Sequence, residues 1–536
     1  MSIAPSHVTG PITRAQLVYL ARTRFGLERF RPGQLALMEA VLAGRNVLGI
    51  LPTGAGKSLT YQLPSLLLEG AVLVVTPLIS LMQDQQEKLD GLEIPAARLN
   101  STLRAQEERE LNAEIRDGGF DLIYVTPERL EKPECLAMLR ERGTALVVVD
   151  EAHCVSQWGH DFRPAYLALR AAVRELGNPP IMALTATATP EMVADILKQL
   201  DIEGAEVVQT GIERKNLQLR VERTASVDKK HEFLREFLAQ QQGTGIVYAS
   251  SVRAANELHG LLCGYGVKAG LYHGRLNARD REQVQRQFMD DQLDVMVATS
   301  AFGLGIDKPD LRFVVHYNFP DSLESYYQEA GRAGRDGKPA VVVLLYRLED
   351  KRLHSYFLAG KYPDRSESAR LMQCITKLLA DPAREHVSAS ELSSVAEVSP
   401  KRTKVILAQL EGAELVERAR DRIKLLRGPR DEAELDQLLS EYEQRRGNDK
   451  ARIEAVMHYA QSPSCRMQQL VAYFGQEKVD ACGQCDNCLA ATSSSGQTTA
   501  RSSSTPSPPV DLERLVASAC GNVASEEVVG LLTEDA

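Results

Sequence analysis

The sequence predicts an α/β protein of two consecutive parallel-sheet lobes, followed by a helix-turn-helix-hairpin module and a small helical module built on four cysteines. Three observations carry this. Short apolar runs alternate with longer amphipathic stretches from Ile12 to Gln209 and again from Gly211 to Tyr346, the pattern of parallel strands joined by helices. A glycine-containing turn, Pro52 to Ser58, follows the apolar run Val47 to Leu51 and precedes a helical stretch, Leu59 to Leu68. Cys482, Cys485 and Cys488 form a C-x-x-C-x-x-C run, with Cys465 seventeen residues upstream.

Taken in order, Ala71 to Val75, Leu146 to Val149, Ile181 to Leu184, Ile246 to Tyr248, Val295 to Ala298 and Phe313 to Val315 read as strands. They are continuously apolar because helices cover both sheet faces. The lobes then span 1–209 and 210–346. A helical connector, 347–384, ends near Asp381-Pro382, where proline stops the run. Within 385–430, a helix at Glu391 to Val395, a break at Val398-Ser399-Pro400, a helix to Leu410 and two short strands resemble a winged helix. Residues 431–490 form the cysteine module behind a polar helix, 491–510 a Ser/Thr/Pro-rich linker, and 511–536 a short helical tail.

Composition narrows the function classes. A chain of 536 residues has room for roughly three or four domains. Its net charge of −9, from 63 basic and 72 acidic residues, argues against coating nucleic acid by charge alone, while leaving room for a local basic patch. No apolar run approaches the ~18 residues that a membrane span needs, and the N-terminus lacks a signal-peptide profile, so an intracellular protein is expected. Nine cysteines are too few for a disulfide framework in a chain of this length.

Between Pro52 and Ser58, glycines let several backbone N–H groups and a helix N-terminus face a phosphate. Thr53, Gly54, Ala55 and Gly56 form the cradle, Lys57 reaches the terminal phosphates and Ser58 ligates magnesium. Leu51 stands where the strict motif has glycine, and an ordinary glycine turn is the bland alternative. Asp150 and Glu151 follow the buried run Leu146 to Val149. In-line attack on a phosphoryl group needs one acid on magnesium, Asp150, and another to position water, Glu151.

These residues belong to a larger ordered set, from Phe25 to Gly337, that resembles the RecQ family of DNA helicases in the second helicase superfamily. Phe25-Gly26 with Phe30 to Gln34 is similar to the family's adenine-reading motif. The resemblance implies that Arg31 and Gln34 bind the nucleotide, Gln34 at the base edge. Thr76 to Leu81 and Thr126 to Leu130 resemble its strand-tracking motifs, and Cys154 to Pro164 its most specific signal. In that last segment Trp158, the sole tryptophan, with Phe162 and Arg163, lies a few residues from the acidic pair, where a stacked base could report strand occupancy. Thr185-Ala186-Thr187 would couple the two sites. In the second unit, Tyr272 to Gly274, Ala298 to Pro309 and Gln328 to Gly337 resemble later helicase motifs, with Arg335, and Arg332 close behind, as an arginine finger.

The resemblance implies two RecA-like lobes and an ATP-dependent motor moving 3′ to 5′ on single-stranded DNA. It further implies single-stranded and forked DNA as substrates, single-strand-binding and recombination proteins as partners, and a nucleoid-associated role in recombination and repair. Four thiolates satisfy tetrahedral zinc without an open position, so the cysteine site should be structural; an iron–sulfur cluster is the metal alternative. The residue runs around these cysteines also resemble the family's zinc module. Cys135, Cys154, Cys263, Cys374 and Cys520 read as buried small hydrophobes.

From Lys401 to Arg430 nine basic residues stand against four acidic ones. Lys401, Arg402 and Lys404 open the expected recognition helix and would contact DNA phosphates; a solvated helical face is the alternative. Three features depart from the family pattern: the winged-helix candidate precedes the zinc cysteines, the C-terminal helical bundle is absent or reduced to Asp511 to Ala536, and Leu27 replaces an aromatic at the adenine. The expected hairpin tip, Arg420-Asp421, carries no aromatic wedge. Rival readings are an RNA helicase or duplex translocase on the same motor, or a DNA-binding regulator with a vestigial motor.

Overall fold

The structure, a computed structural model, describes residues 13–495 except 78, 101–104, 157–162, 304–307, 362–364, 382–383, 414, 420–421 and 429–431. The first lobe holds β1 (Val47–Ile50), β2 (Ala71–Val75), β3 (Ala96–Leu99), β4 (Leu122–Val125), β5 (Thr144–Val149), β6 (Ile181–Thr185) and β7 (Glu206–Gln209). They pair in the order β3-β4-β2-β5-β6-β1-β7, and every pairing is parallel. The second lobe holds β8 (Leu217–Arg223), β9 (Gly245–Tyr248), β10 (Ala269–Tyr272), β11 (Val295–Ala298), β12 (Phe313–His316) and β13 (Ala340–Tyr346). These pair, again all parallel, as β10-β11-β9-β12-β13-β8. In each sheet the strand order reverses beside a central strand, so the carboxyl ends open a crevice there. The phosphate turn after β1 and the acids after β5 both sit at such ends.

β1, β2 and β4 are buried along their full length, because helices pack on both faces. The continuous apolar runs of the sequence follow from this. At the sheet edge β7 is largely exposed, and β8 alternates buried with exposed positions, so neither shows such a run.

Beyond β13 the chain forms helices Lys351–Lys361 and Arg365–Leu378, then β14 (Val387–Ser388), helices Ala389–Val395 and Pro400–Gly412, and the hairpin β15 (Val416–Ala419) and β16 (Arg422–Leu425). β16 pairs antiparallel with β15 and β14. One correction concerns the connector: Leu371, Met372 and Ile375 share a core with Leu392, Ile406, Leu410 and Ile423. The Arg365–Leu378 helix is therefore part of the hairpin unit, whose apolar face it covers.

A 30-residue helix, Glu432–Gln461, returns the chain to lobe two and leads into helix Arg466–Tyr473 and the cysteines. Val456, Tyr459, Leu470, Phe474 and Cys485 share one hydrophobic core with Phe319, Tyr326 and Leu344 of lobe two. Tyr459 donates to the Tyr326 hydroxyl at 3.2 Å, and Tyr473 donates to both Glu324 oxygens at 3.0 and 3.1 Å. Among the described residues no helix is long and apolar enough to cross a membrane.

Candidate nucleotide site and metal cage

The phosphate turn is held from outside by side chains that donate to its carbonyls. Gly54 and Gly56 have φ of 83° and 78°, the left-handed region that glycine enters without strain. At Gly56 a Cβ would lie 2.6 Å from Gln34 Nε2, so the close approach of this side chain also requires glycine. Gln34 donates from Nε2 to Ala55 O at 3.1 Å and Gly56 O at 2.9 Å, and its Oε1 accepts from Arg31 N at 2.8 Å. Arg31 donates to Gly54 O. The amide expected at an adenine edge is thus engaged with the phosphate turn. Beside it a cavity of about 510 Å³ is lined by Leu27, Phe30, Arg31 and Gly33.

Lys57 donates to Leu51 O at 3.2 Å. Burial draws its pKa down, Glu151 and Asp150 push it back up, and Arg335 lowers it further. These four groups form one electrostatic cluster. Asp150 is buried, and its pKa is raised to about 7, first by desolvation and then by repulsion from Glu151, with Lys57 opposing. Its backbone is pinned at the end of β5: N–H donates to Val75 O at 2.9 Å and its carbonyl accepts from the Tyr166 hydroxyl at 3.3 Å.

Glu151 has φ of 49°, a strained backbone for a residue with a side chain, of the kind that collects at functional sites. Its Oε2 is buried, makes no hydrogen bond among the described residues, and lies 3.3 Å from His153 Nδ1. His153 Nδ1 also lies 3.1 Å from Thr185 Oγ1, which donates to Thr187 O. The acidic pair is therefore connected to the Thr185-Ala186-Thr187 segment through a buried histidine.

Lobe two supplies the remaining cation. A Cβ on Gly54 would lie 3.4 Å from Arg335 Cγ, which places Arg335 against the phosphate turn. Arg332 is placed differently from the paired-finger expectation. It is buried inside lobe two and donates to Gly303 O, because Gly303, at φ 145°, leaves room that a Cβ would fill 2.6 Å from the guanidinium carbon. Arg332 also lines an interlobe cavity of about 620 Å³ with His153 and Arg163 from lobe one and Ser250, Ser300 and Asn318 from lobe two.

Of the residues expected at DNA, Trp158 and Phe162 lie outside the described residues. Arg163 donates to Pro77 O at 3.4 Å, joining the segment after the acidic pair to Thr76-Pro77. Lys404 is exposed, and Lys401 sits in the same helix with its side chain outside the described residues. Arg402 is half-buried, and its guanidinium pairs with Glu367, which the Arg365–Leu378 helix brings alongside. Arg418, Arg422 and Lys424 are exposed on the hairpin.

The sulfur atoms of Cys465, Cys482, Cys485 and Cys488 all lie within 4.8 Å of one another. At a zinc–sulfur distance of about 2.3 Å, tetrahedral sulfurs stand about 3.8 Å apart, so the cage fits a single ion. Burial pushes the Cys465 thiol up, and the Cys482 and Gln468 backbone amides push it down further, to about 7. The loop between the cysteines is ordered by Arg466, whose guanidinium bonds both Asp486 oxygens at 3.0 and 2.9 Å. Cys135 and Cys154 are buried and Cys374 half-buried, as small hydrophobes would be; Cys263 is instead exposed, near the end of helix Val252–Gly264. Cys520 lies outside the described residues.

Sequence reasoning missed Arg214, which donates to Thr53 O at 3.2 Å and also to carbonyls of Gly331, Ala333 and Gly334. It missed Gln476 and Gln484, which bond the connector between the lobes. Nothing in the local spacing of these residues marks them; the only signal is that Arg214 lies in the short connector itself.

Family models match in the order of these modules: DEAD/DEAH box helicase over residues 31–196, helicase conserved C-terminal domain over 229–337, and RecQ zinc-binding over 429–489. The chain is similar to the ATP-dependent DNA helicase RecQ of Bacillus subtilis, 37% identical over 87% of this chain and 65% of that protein. It is similar to the probable ATP-dependent DNA helicase RecS of the same organism, 41% identical over 66% of this chain and 71% of the relative. With the putative helicase Q1 of Caenorhabditis elegans it shares 41% identity, and spans 54% of that protein's length. Among solved structures, the DUF1998 helicase MrfA bound to DNA superposes with a TM-score of 0.53 at 17% identity, over 78% of this chain and 64% of that one. Mycobacterium smegmatis Lhr superposes with a TM-score of 0.52 at 20% identity, over 78% and 61%. At these identities the superpositions speak for the fold alone. The identity with RecS over most of that relative's length, joined to a zinc-binding match at the four-cysteine cage, means that the chain belongs to the RecQ family of helicases.

Proposed function

We propose that the chain is an ATP- and magnesium-dependent DNA helicase that moves 3′ to 5′ on single-stranded DNA and separates the duplex ahead of it. The observation that carries this reading is Arg335 of lobe two lying against Gly54 of the phosphate turn, in one cluster with Lys57, Asp150 and Glu151. A cation supplied across a cleft makes hydrolysis depend on lobe closure. Lys57 binds the terminal phosphates and Arg335 stabilises charge on the transferring group. Glu151, with Oε2 free of competing hydrogen bonds among the described residues, orients the attacking water. Ser58 and Asp150 hold magnesium, which neutralises phosphate charge when bound. Gln34, Arg31 and the carbonyls of Thr53 to Gly56 keep the turn's N–H groups inward, and Arg332 supports the finger segment from within lobe two.

Trp158, Phe162 and Arg163 take the single strand, and Lys401, Lys404 and the exposed hairpin cations take duplex phosphates in a winged-helix manner. Arg402 joins them by exchanging Glu367 for phosphate. Cys465, Cys482, Cys485 and Cys488 hold a structural zinc. The names of the RecQ and RecS relatives, both ATP-dependent DNA helicases, support the DNA substrate and the ATP requirement. Forked DNA, single-strand-binding and recombination proteins, and an intracellular, nucleoid-associated setting in repair belong to the same reading. The test is ATP hydrolysis with and without single-stranded DNA, and unwinding of duplexes carrying a 3′ or a 5′ tail. Stimulation by DNA and unwinding from the 3′ tail are expected; hydrolysis indifferent to DNA would overturn the reading.

A further inference from the structure

The connector between β7 and β8 contains one arginine, and its guanidinium touches both lobes. Arg214 Nη1 donates to Thr53 O at 3.2 Å, in the phosphate turn, and to Gly331 O at 3.3 Å. Its Nη2 donates to Ala333 O at 3.0 Å and Gly334 O at 2.8 Å. Asn216 supports the same turn, donating to Gly334 O and Lys338 O, both at 2.8 Å. A Cβ on Gly331 would lie 3.2 Å from Thr53 Cβ, so this turn rests directly on the phosphate turn. The residue that follows Gly334 is Arg335.

A planar guanidinium with five N–H donors can serve four carbonyls on two segments at once. A lysine ammonium, a point charge on three tetrahedral donors, cannot reproduce that fork. Three of the four carbonyls lie in lobe two and one in lobe one, so a hinge opening would break the Thr53 bond while leaving the others in place. Arg214 therefore holds the finger turn in both states and ties it to the phosphates' cradle in only one.

We infer that Arg214 is the positioning residue of the arginine-finger turn: it sets where Gly331 to Arg335 stands against the phosphate turn, and so the aim of Arg335. This rests on the ATPase reading above and adds to it a residue outside the helicase motifs. Misplacing a catalytic group by about 1 Å can cost about 10²-fold in rate. Nucleotide binding, by contrast, rests mainly on lobe one.

The experiment measures kcat and KM for ATP at saturating single-stranded DNA, on the full chain, for wild type, R214A, R214K, R335A and the double variant R214A/R335A. An inactive wild type would sink the ATPase reading itself. With an active wild type, R214A should lose about 10²-fold in kcat with KM within about threefold, and the double variant should be no slower than R335A, because two residues acting as one unit are not additive. R214K, which keeps charge and stem, should lose about tenfold and decides the matter should R214A not fold. Unchanged kcat in R214K and any folded R214A, or losses that multiply in the double variant, would overturn the positioning role.

Discussion

Gln484 donates from Nε2 to Lys215 O at 2.9 Å and Leu217 O at 3.0 Å, fastening the loop between two cage cysteines to the start of lobe two. Gln476 does the same one step earlier, accepting from Ile212 N at 3.0 Å, and Asp486 accepts from Val221 N at 3.2 Å. A loosened cage would therefore be felt in lobe two. Cys485→Ser, at a fully buried thiol of the cage, should bind less zinc and melt lower. Metal content and a thermal melt check this; a full complement of zinc in the variant would show that the wrong sulfurs have been chosen.

Lys57→Ala and Glu151→Gln each remove one member of the charged cluster at the phosphate turn, in which Asp150 is buried and the others half-buried. DNA-stimulated hydrolysis should drop by at least about 10²-fold in both, with the far-ultraviolet circular dichroism unchanged. Normal turnover in either variant would remove the proposed site.

Arg335→Ala takes away the cation that lobe two presents to Gly54. A finger of this kind contributes about 10³–10⁵ to kcat, so the variant should retain ATP binding, measured by a fluorescent analogue, and lose nearly all turnover. Arg332→Ala should instead lower stability, since its partner is the Gly303 carbonyl. A melt that separates the two variants tests their different placements.

Arg466 is buried and paired with Asp486 while donating also to Tyr459 O and Ser462 O. Asp486→Ala would strand that charge, at a cost of about 3–5 kcal/mol. Urea denaturation of the variant should show it; a loss below about 1 kcal/mol, the worth of a surface pair, would contradict the burial argument.

What could be read from sequence was what is written locally. The turn from Pro52 to Ser58, the acids after β5 and the C-x-x-C-x-x-C run each bring their partners within a few residues, and the buried strands β2 and β11 are unbroken apolar runs. Edge strands escape such reading: β7 is largely exposed, and β8 shows its inner face only at alternate positions. The grouping of Arg214 with Thr53, 161 residues away, exists only after both lobes have folded. The pairing of Arg402 with Glu367 is hidden for the same reason, since Glu367 reaches it from 35 residues upstream. The Gln34 amide has several possible acceptors, and only the fold shows which it meets.

The helices Lys351–Lys361 and Glu432–Gln461 pack against each other, so the chain departs for the hairpin unit and comes back at nearly one spot. That unit keeps a core of its own, built from Leu371, Leu392, Ile406 and their neighbours. An attachment with adjoining entry and exit behaves as a cassette. Splicing it out with a short bridge should leave the engine running, so grip on paired strands would be an accessory that such a machine can gain or shed without being rebuilt.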